Sequence, residues 1–299
     1  MKLSEVPRPF ICGVIREEDP ASAIADMKLA ECDGAQVFEF WVSTLRPEFR
    51  NVKALRLIFR ATTLPIFTTN RRYGRATPAG ADEPLVAEDA ARMQLQLELI
   101  DLGSGGFDME LDTFDPVPGP PIRSEEGIRY SMDPSSPPRE VTIDPVAVEK
   151  QVRMIEEAHR RGGEVMASSH CLTRITTEDV LWICRLAEER GCNLLKVVRF
   201  NQSYEDIVDT LAQTVALRRQ AKIPFVMMAM GEYGKLSRLM SPLLGSMLCY
   251  CKHTYGPGAF TDQPLIRAAK AVFENVDYKI TPRAAEFTPE WYAGGRDRE

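Results

Sequence analysis

A lysine inside the apolar run LLKVVRF and a histidine closing the run VMASSH are the residues of this chain best placed to carry chemistry. Strand alternation puts Leu194, Lys196 and Val198 on one face. If that face is buried, desolvation disfavours the ammonium, and an uncharged amine adds to ketones and aldehydes. The same pattern fits a lysine that snorkels at a strand edge, so the strand alone leaves both readings open. His170 titrates near neutrality and suits general acid and base work, although a histidine bonded to a loop carbonyl would look the same. The two lie 26 residues apart, the length of one strand–helix unit, which puts them on neighbouring strands.

Acids interrupt two further apolar runs, Glu39 in VFEFW and Glu110 in DMELD, and buried carboxylates require partners. Asp108, Asp112 and Glu232 are candidates for the same rim. Arg238, in KLSRLMSPLLGS, is suited to bidentate capture of a carboxylate and equally to an exposed helix position. Met228 and Met230 alternate with Ala229, a pattern common in cores.

The elements that must position these residues repeat in a regular rhythm. Short apolar runs at 10–15, 34–41, 65–70, 106–113, 163–170, 193–200, 224–230 and 246–253 are each followed by helical periodicity. The third helix is expected from about Glu83 to Leu102, and a Pro-rich segment at 114–143 breaks the rhythm after the fourth run. Eight strands alternating with helices predict a single α/β domain, a closed (β/α)8 barrel of the TIM type. No G-x-G-x-x-G follows the first strand, as an open nucleotide-binding sheet would favour. The expected domain is 1–277, with an insert at about 114–143 on the active-site face and a C-terminal tail at 278–299. In such a barrel the chemistry sits at the C-terminal ends of the strands.

The formal net charge of −6 argues against nucleic-acid or anionic-membrane partners and points to a small-molecule substrate. Seven cysteines, an odd number with no C-x-x-C pair, suggest reduced thiols in a cytoplasmic protein. No apolar run reaches the roughly 18–20 residues of a membrane span, and MKLSEVPRPF lacks a signal-peptide core.

In order along the chain, these segments resemble the type I 3-dehydroquinate dehydratases. SSHCL is similar to the family's histidine segment, and NLLKVVRF to its Schiff-base lysine strand. MMAMGEYGKLSRLMSPLLGS resembles its Met-rich strand, glycine turn and Ser-Arg pair. GPGAF stands where the family has a Pro-Gly loop over the substrate, and VFEFW resembles the strand carrying a substrate-binding glutamate. The resemblance implies a carbon–oxygen lyase of the shikimate pathway of aromatic amino acid biosynthesis. Lys196 would form an imine with a cyclic hydroxy-ketone carboxylate, and His170 would move the protons. Glu39, Arg238, Arg71, Met228, Met230, Asn70, Tyr255 and Ala259 would contact substrate. It implies no metal and no organic cofactor, and it is compatible with a homodimer that nothing in the sequence demands.

The chain departs from the family pattern at several points. Trp41 and Ser43 replace an arginine and an acid, Asn70 stands at an arginine position with Arg71 next in line, on the other face unless the loop readjusts, and Ala259 and Tyr255 replace a glutamine and a serine. Other readings are a Schiff-base lyase or aldolase on a different ketone, a metal-dependent barrel lyase or isomerase using Glu110, His170 and Glu232, and a non-catalytic metabolite-binding relative.

Overall fold

A computed structural model of the chain describes residues 2–71, 89–117, 119–120, 125–133, 135–138, 140–171, 175–256 and 261–276. The described residues form eight strands and nine α-helices. In chain order the first half holds β1 Phe10–Ile15, α1 Pro20–Asp33, β2 Val37–Trp41, α2 Val52–Phe59, β3 Ile66–Thr69, α3 Asp89–Asp101, β4 Gly106–Glu110 and α4 Glu125–Met132. The second half holds α5 Pro145–Arg160, β5 Glu164–Cys171, α6 Thr177–Glu189, β6 Leu194–Phe200, α7 Tyr204–Gln220, β7 Phe225–Met230, α8 Gly234–Leu244, β8 Leu248–Cys251 and α9 Ile266–Asn275.

All strand pairings are parallel, and the sheet order β7-β6-β5-β4-β3-β2-β1-β8 wraps the strands into the predicted barrel. The seam between β7 and β8 has no ladder. It is drawn together by the Met247 amide donating to the Phe225 carbonyl at 2.8 Å and the Met227 amide donating to the Ser246 hydroxyl at 3.1 Å.

Helix starts follow the local sequence. Asp19 accepts from the Ala21 and Ser22 amides ahead of α1, Asp144 caps α5, and Thr176 with Asp179 forms a capping box on α6. The strands are buried on both faces, as parallel strands covered by helices must be. One apolar cluster, including Phe10, Cys12, Phe67, Met166, Leu194, Val226 and Leu248, fills the lumen. Two others lie between the strands and the helical layer. The lower end of the lumen is plugged by the 3-10 turn Leu3–Glu5, where Glu164 accepts from the Ser4 amide at 3.1 Å and from its hydroxyl.

The fourth strand ends at Glu110, short of the expected 113, because a turn closes there with the Thr113 amide on the Glu110 carbonyl. The Pro-rich insert holds a helix, α4, that its composition did not suggest. Its downstream end returns to the barrel, where Val141 bridges Leu111 and the Thr142 amide donates to the Leu111 carbonyl at 3.0 Å. Residues 83–88 of the expected third helix and the 278–299 tail lie outside the described residues. Among the described residues no helix is long and apolar enough to cross a membrane.

Candidate active site

Strand parity decides what enters the barrel mouth. Lys196 shares its face with Leu194 and Val198 of the lumen cluster, and only 3% of its side chain is exposed. It sits 5.4 Å from the Tyr250 ring, forms an ion pair with Asp108, and has Glu39 Oε1 at 3.7 Å. Besides burying the amine, the fold presents two anions to it, from β2 and β4. Burial opposes ionisation of Asp108, but Arg71 and Lys196 outweigh it and hold the carboxyl below its ordinary range.

Glu39 is fixed by two neutral donors. The Trp41 indole N–H and the Thr69 hydroxyl each donate to it at 2.8 Å. The Trp41 ring in turn carries the Arg16 guanidinium at 4.3 Å and Arg71 at 5.8 Å.

His170 lies on β5, beside β6, with Ser168 paired to Lys196 and His170 to Val198. Its Nδ1 is 2.6 Å from Glu140 Oε2, and its backbone amide donates to the same oxygen at 3.0 Å. Its Nε2 faces Arg71 Nη2 at 3.3 Å. A guanidinium can only donate, so Nε2 must be the unprotonated nitrogen and Nδ1–H donates to Glu140. Burial, then Arg71 and Lys196, push the imidazole well below its ordinary value and keep it neutral. The ring therefore presents a basic nitrogen to the mouth.

Arg71 joins these groups. It donates to the Ser168 hydroxyl at 3.2 Å and pairs with Asp108 at 3.3 Å and Glu110 at 3.4 Å. Its expected orientation is thereby corrected: Phe67, Thr69 and Arg71 share the lumen parity, so the arginine points inward. Asn70 instead turns toward α3, where its side-chain amide donates to the Arg92 backbone carbonyl at 3.4 Å and its backbone carbonyl accepts from the Arg92 guanidinium. Glu110 lies between Arg92, at 3.0 Å, and Arg71. Burial opposes its ionisation, but the two cations hold it below the usual carboxylate range.

Other expected contacts fall elsewhere. Arg238 is not an open anchor: it pairs with Asp262 at 2.9 Å and donates to the Ala229 carbonyl at 2.9 Å and to Met228 Sδ at 3.1 Å. Met228 lines the lumen, and Met230 packs against its rim. Tyr255, 39% exposed, turns outward, donating to the Gln263 carbonyl and accepting from Lys235. Ala259 lies outside the described residues. Asp112 is buried just beyond β4. The alternative metal set is not assembled, because Glu110 is held by two arginines and Glu232 is exposed. Among the described residues no group of three His, Cys, Asp or Glu side chains could hold a metal ion.

Three contributors were not singled out from sequence. Ser168, two residues before His170 on the same face, donates to Asp108 Oδ1 at 2.6 Å and was within reach of parity reasoning. Arg92 lies on a helix, and Glu140 lies in the insert, where no local pattern marks it.

Residues 136–277, which contain both Lys196 and His170, match the family model described as type I 3-dehydroquinase. A 3-dehydroquinate dehydratase of Klebsiella pneumoniae is 30% identical over 105 residues, and one of Neisseria meningitidis is 29% identical over 114. These matches span 34% and 38% of this chain and 42% of each relative's length. The fold extends further. The 3-dehydroquinate dehydratase structure from Geobacillus kaustophilus superposes with a TM-score of 0.69 at 18% identity, covering 92% of this chain and 97% of that one. The type I enzyme of Clostridium difficile gives 0.66 at 20% identity, covering 90% and 92%. The barrel is thus shared over nearly its full length, and the sequence likeness concentrates in the half that carries the lysine and the histidine.

Proposed function

We propose that this protein is a Schiff-base dehydratase that eliminates water from 3-dehydroquinate or a closely related cyclic hydroxy-ketone. The observation that carries this reading is a lumen lysine and a neutral imidazole on neighbouring strands, linked through Asp108 and Arg71. The family match over 136–277 supports the same chemistry.

Asp108 accepts a proton from Lys196, and the freed lone pair of Nζ adds to the substrate ketone. Loss of water from the carbinolamine leaves a protonated imine, which acidifies the adjacent C–H. His170 Nε2 takes that proton, and the electrons pass through the enamine to expel the β-hydroxyl. The imidazolium returns its proton to the leaving oxygen, so one water departs. Hydrolysis of the product imine restores Lys196. General acid–base assistance of this kind contributes roughly 10²–10⁴ in rate.

The Arg238–Asp262 pair favours a second reading within the same mechanism. A substrate carboxylate reaching Arg238 has to displace Asp262 or share the guanidinium with it, which suits a related ketone whose carboxylate sits elsewhere. A cytoplasmic setting, a small-molecule substrate and the absence of nucleic-acid or membrane partners complete the proposal, with a homodimer open to test by sedimentation.

Incubation with 3-dehydroquinate should produce the conjugated enone, followed by absorbance. Borohydride should trap an adduct whose peptide map places it on Lys196. Trapping with another cyclic ketone but no enone from 3-dehydroquinate would select the second reading. No adduct with any of them would remove the mechanism.

A further inference from the structure

The carboxylate on the back of His170 comes from the Pro-rich insert, and the barrel strands do not supply it. Glu110, the lumen acid nearest by sequence logic, is committed to Arg92 and Arg71. Glu140 instead presents one oxygen to both the Nδ1 and the backbone amide of His170.

Two independent features show that this placement is built. Just downstream, Arg190 and Gln151 clamp the end of the insert onto β4. Arg190 donates to the Leu111 carbonyl at 3.1 Å, the Thr142 carbonyl at 2.5 Å and Gln151 Oε1 at 2.7 Å. Gln151 donates to the carbonyls of Leu111 and Thr113 at 3.0 and 2.7 Å. Glu140 itself adopts φ 51°, a left-handed conformation disfavoured for a residue with a side chain. Strain of this kind persists where the surroundings impose it, and here it coincides with the contact to the imidazole.

We propose that Glu140 is a positioning residue that fixes His170 as the Nδ1–H tautomer, making the insert part of the catalytic apparatus. This rests on the dehydratase reading for its kinetic consequence, though not for the contact itself. Its charge surroundings are His170 on β5, Arg71 after β3, Glu110 and Asp108 on β4, and, acting on the imidazole from β6, Lys196. Burial raises the Glu140 carboxyl, Arg71 lowers it and Glu110 raises it, for a value of about 7. A protonated Glu140 can still accept from Nδ1–H through its carbonyl oxygen, but it loses the negative charge that stabilises the imidazolium formed when Nε2 takes the substrate proton. Activity that passes through that imidazolium therefore declines below that pH.

The test uses the full chain with 15N-labelled histidine. In the free wild-type enzyme the nitrogen shifts of His170 should report a single Nδ1–H tautomer, and Glu140→Ala should convert this to a mixture. With substrate, Glu140→Ala should lower kcat about 10²-fold or more while KM changes less than about threefold. Glu140→Gln retains an amide acceptor, so it should keep the tautomer and lose the acid limb near pH 7. That variant remains decisive if the alanine form does not fold. An unchanged His170 tautomer in Glu140→Ala, or an unmoved acid limb in Glu140→Gln, overturns the proposal. Absence of turnover and of any borohydride adduct in the wild type overturns the dehydratase reading and leaves the spectroscopic result standing.

Discussion

Replacing Asp108 by Asn removes the carboxylate that lies against Lys196, pairs with Arg71 at 3.3 Å and accepts from Ser168 at 2.6 Å. At that separation and an effective dielectric near 20, the gross attraction to Arg71 alone is about 5 kcal/mol. Desolvation offsets part of it, and breaking one member of a buried pair costs about 3–5 kcal/mol net. Glu39 remains 3.7 Å from the amine, which places Asp108→Asn near the lower end, about 3 kcal/mol. Lys196→Met should cost a similar amount, because Asp108 keeps Arg71 while Glu39 loses its nearest cation. The double variant removes both ends of the contact, so its cost should fall short of the sum by about 2–3 kcal/mol. Urea unfolding of the four proteins measures this, with thermal midpoints moving roughly 2–4 °C per kcal/mol. The pH dependence has a definite sign. Asp108 is held below its ordinary value, so its contribution is present above about pH 4 and is lost as pH falls through the depressed value. The Asp108→Asn penalty should therefore be level from about pH 5 to 8 and shrink below about pH 4. Additivity within about 0.5 kcal/mol would refute the view that Asp108 is the counter-ion of the reactive amine.

Other expectations are simpler. His170→Ala should still give a borohydride adduct on Lys196 while turnover falls about 10²–10⁴-fold, separable by mass spectrometry and the enone assay. Asp262→Asn should lower KM for a carboxylate substrate several-fold if Arg238 is its anchor, and an unchanged KM would place the carboxylate elsewhere. Arg190→Ala breaks three buried hydrogen bonds under the insert; it should cost about 2–4 kcal/mol and, because Glu140 loses its footing, depress kcat more than KM. Gly106→Ala would put a Cβ 2.0 Å from the Glu164 carbonyl oxygen at φ 156°, so its soluble yield or thermal midpoint should drop sharply.

The barrel was legible because parallel strands buried on both faces leave nearly continuous apolar runs, and each run was followed by helical periodicity. Lys196 and His170 were legible for the opposite reason, as polar residues where the pattern calls for apolar ones. Parity failed at Asn70 and Arg71, where counting from an assumed lumen position missed by one residue. On a strand an error of one reverses the face. Ionic partners were less visible still. Asp108 looked like one acid among several, and nothing in KLSRL reveals that Asp262, 24 residues on, closes over Arg238. Glu140 lies in a segment whose composition suggests a loop, and its role comes from a clamp formed by α5 and α6, which no local window contains.

The unladdered seam between β7 and β8 has a mechanical consequence. Seven interfaces are riveted by continuous hydrogen bonding, and the eighth is held by two bonds near its lower end. The strands that can part with least loss are thus those bearing Met228 and Tyr250, beside Arg238. Spreading that flank would move Tyr250, whose ring lies 5.4 Å from the Lys196 amine, while the β5–β6 ladder keeps the amine and the imidazole in register. The spacing of the two reacting groups is thus guarded by a continuous ladder, although the weakest flank of the cylinder begins only one strand away from the amine.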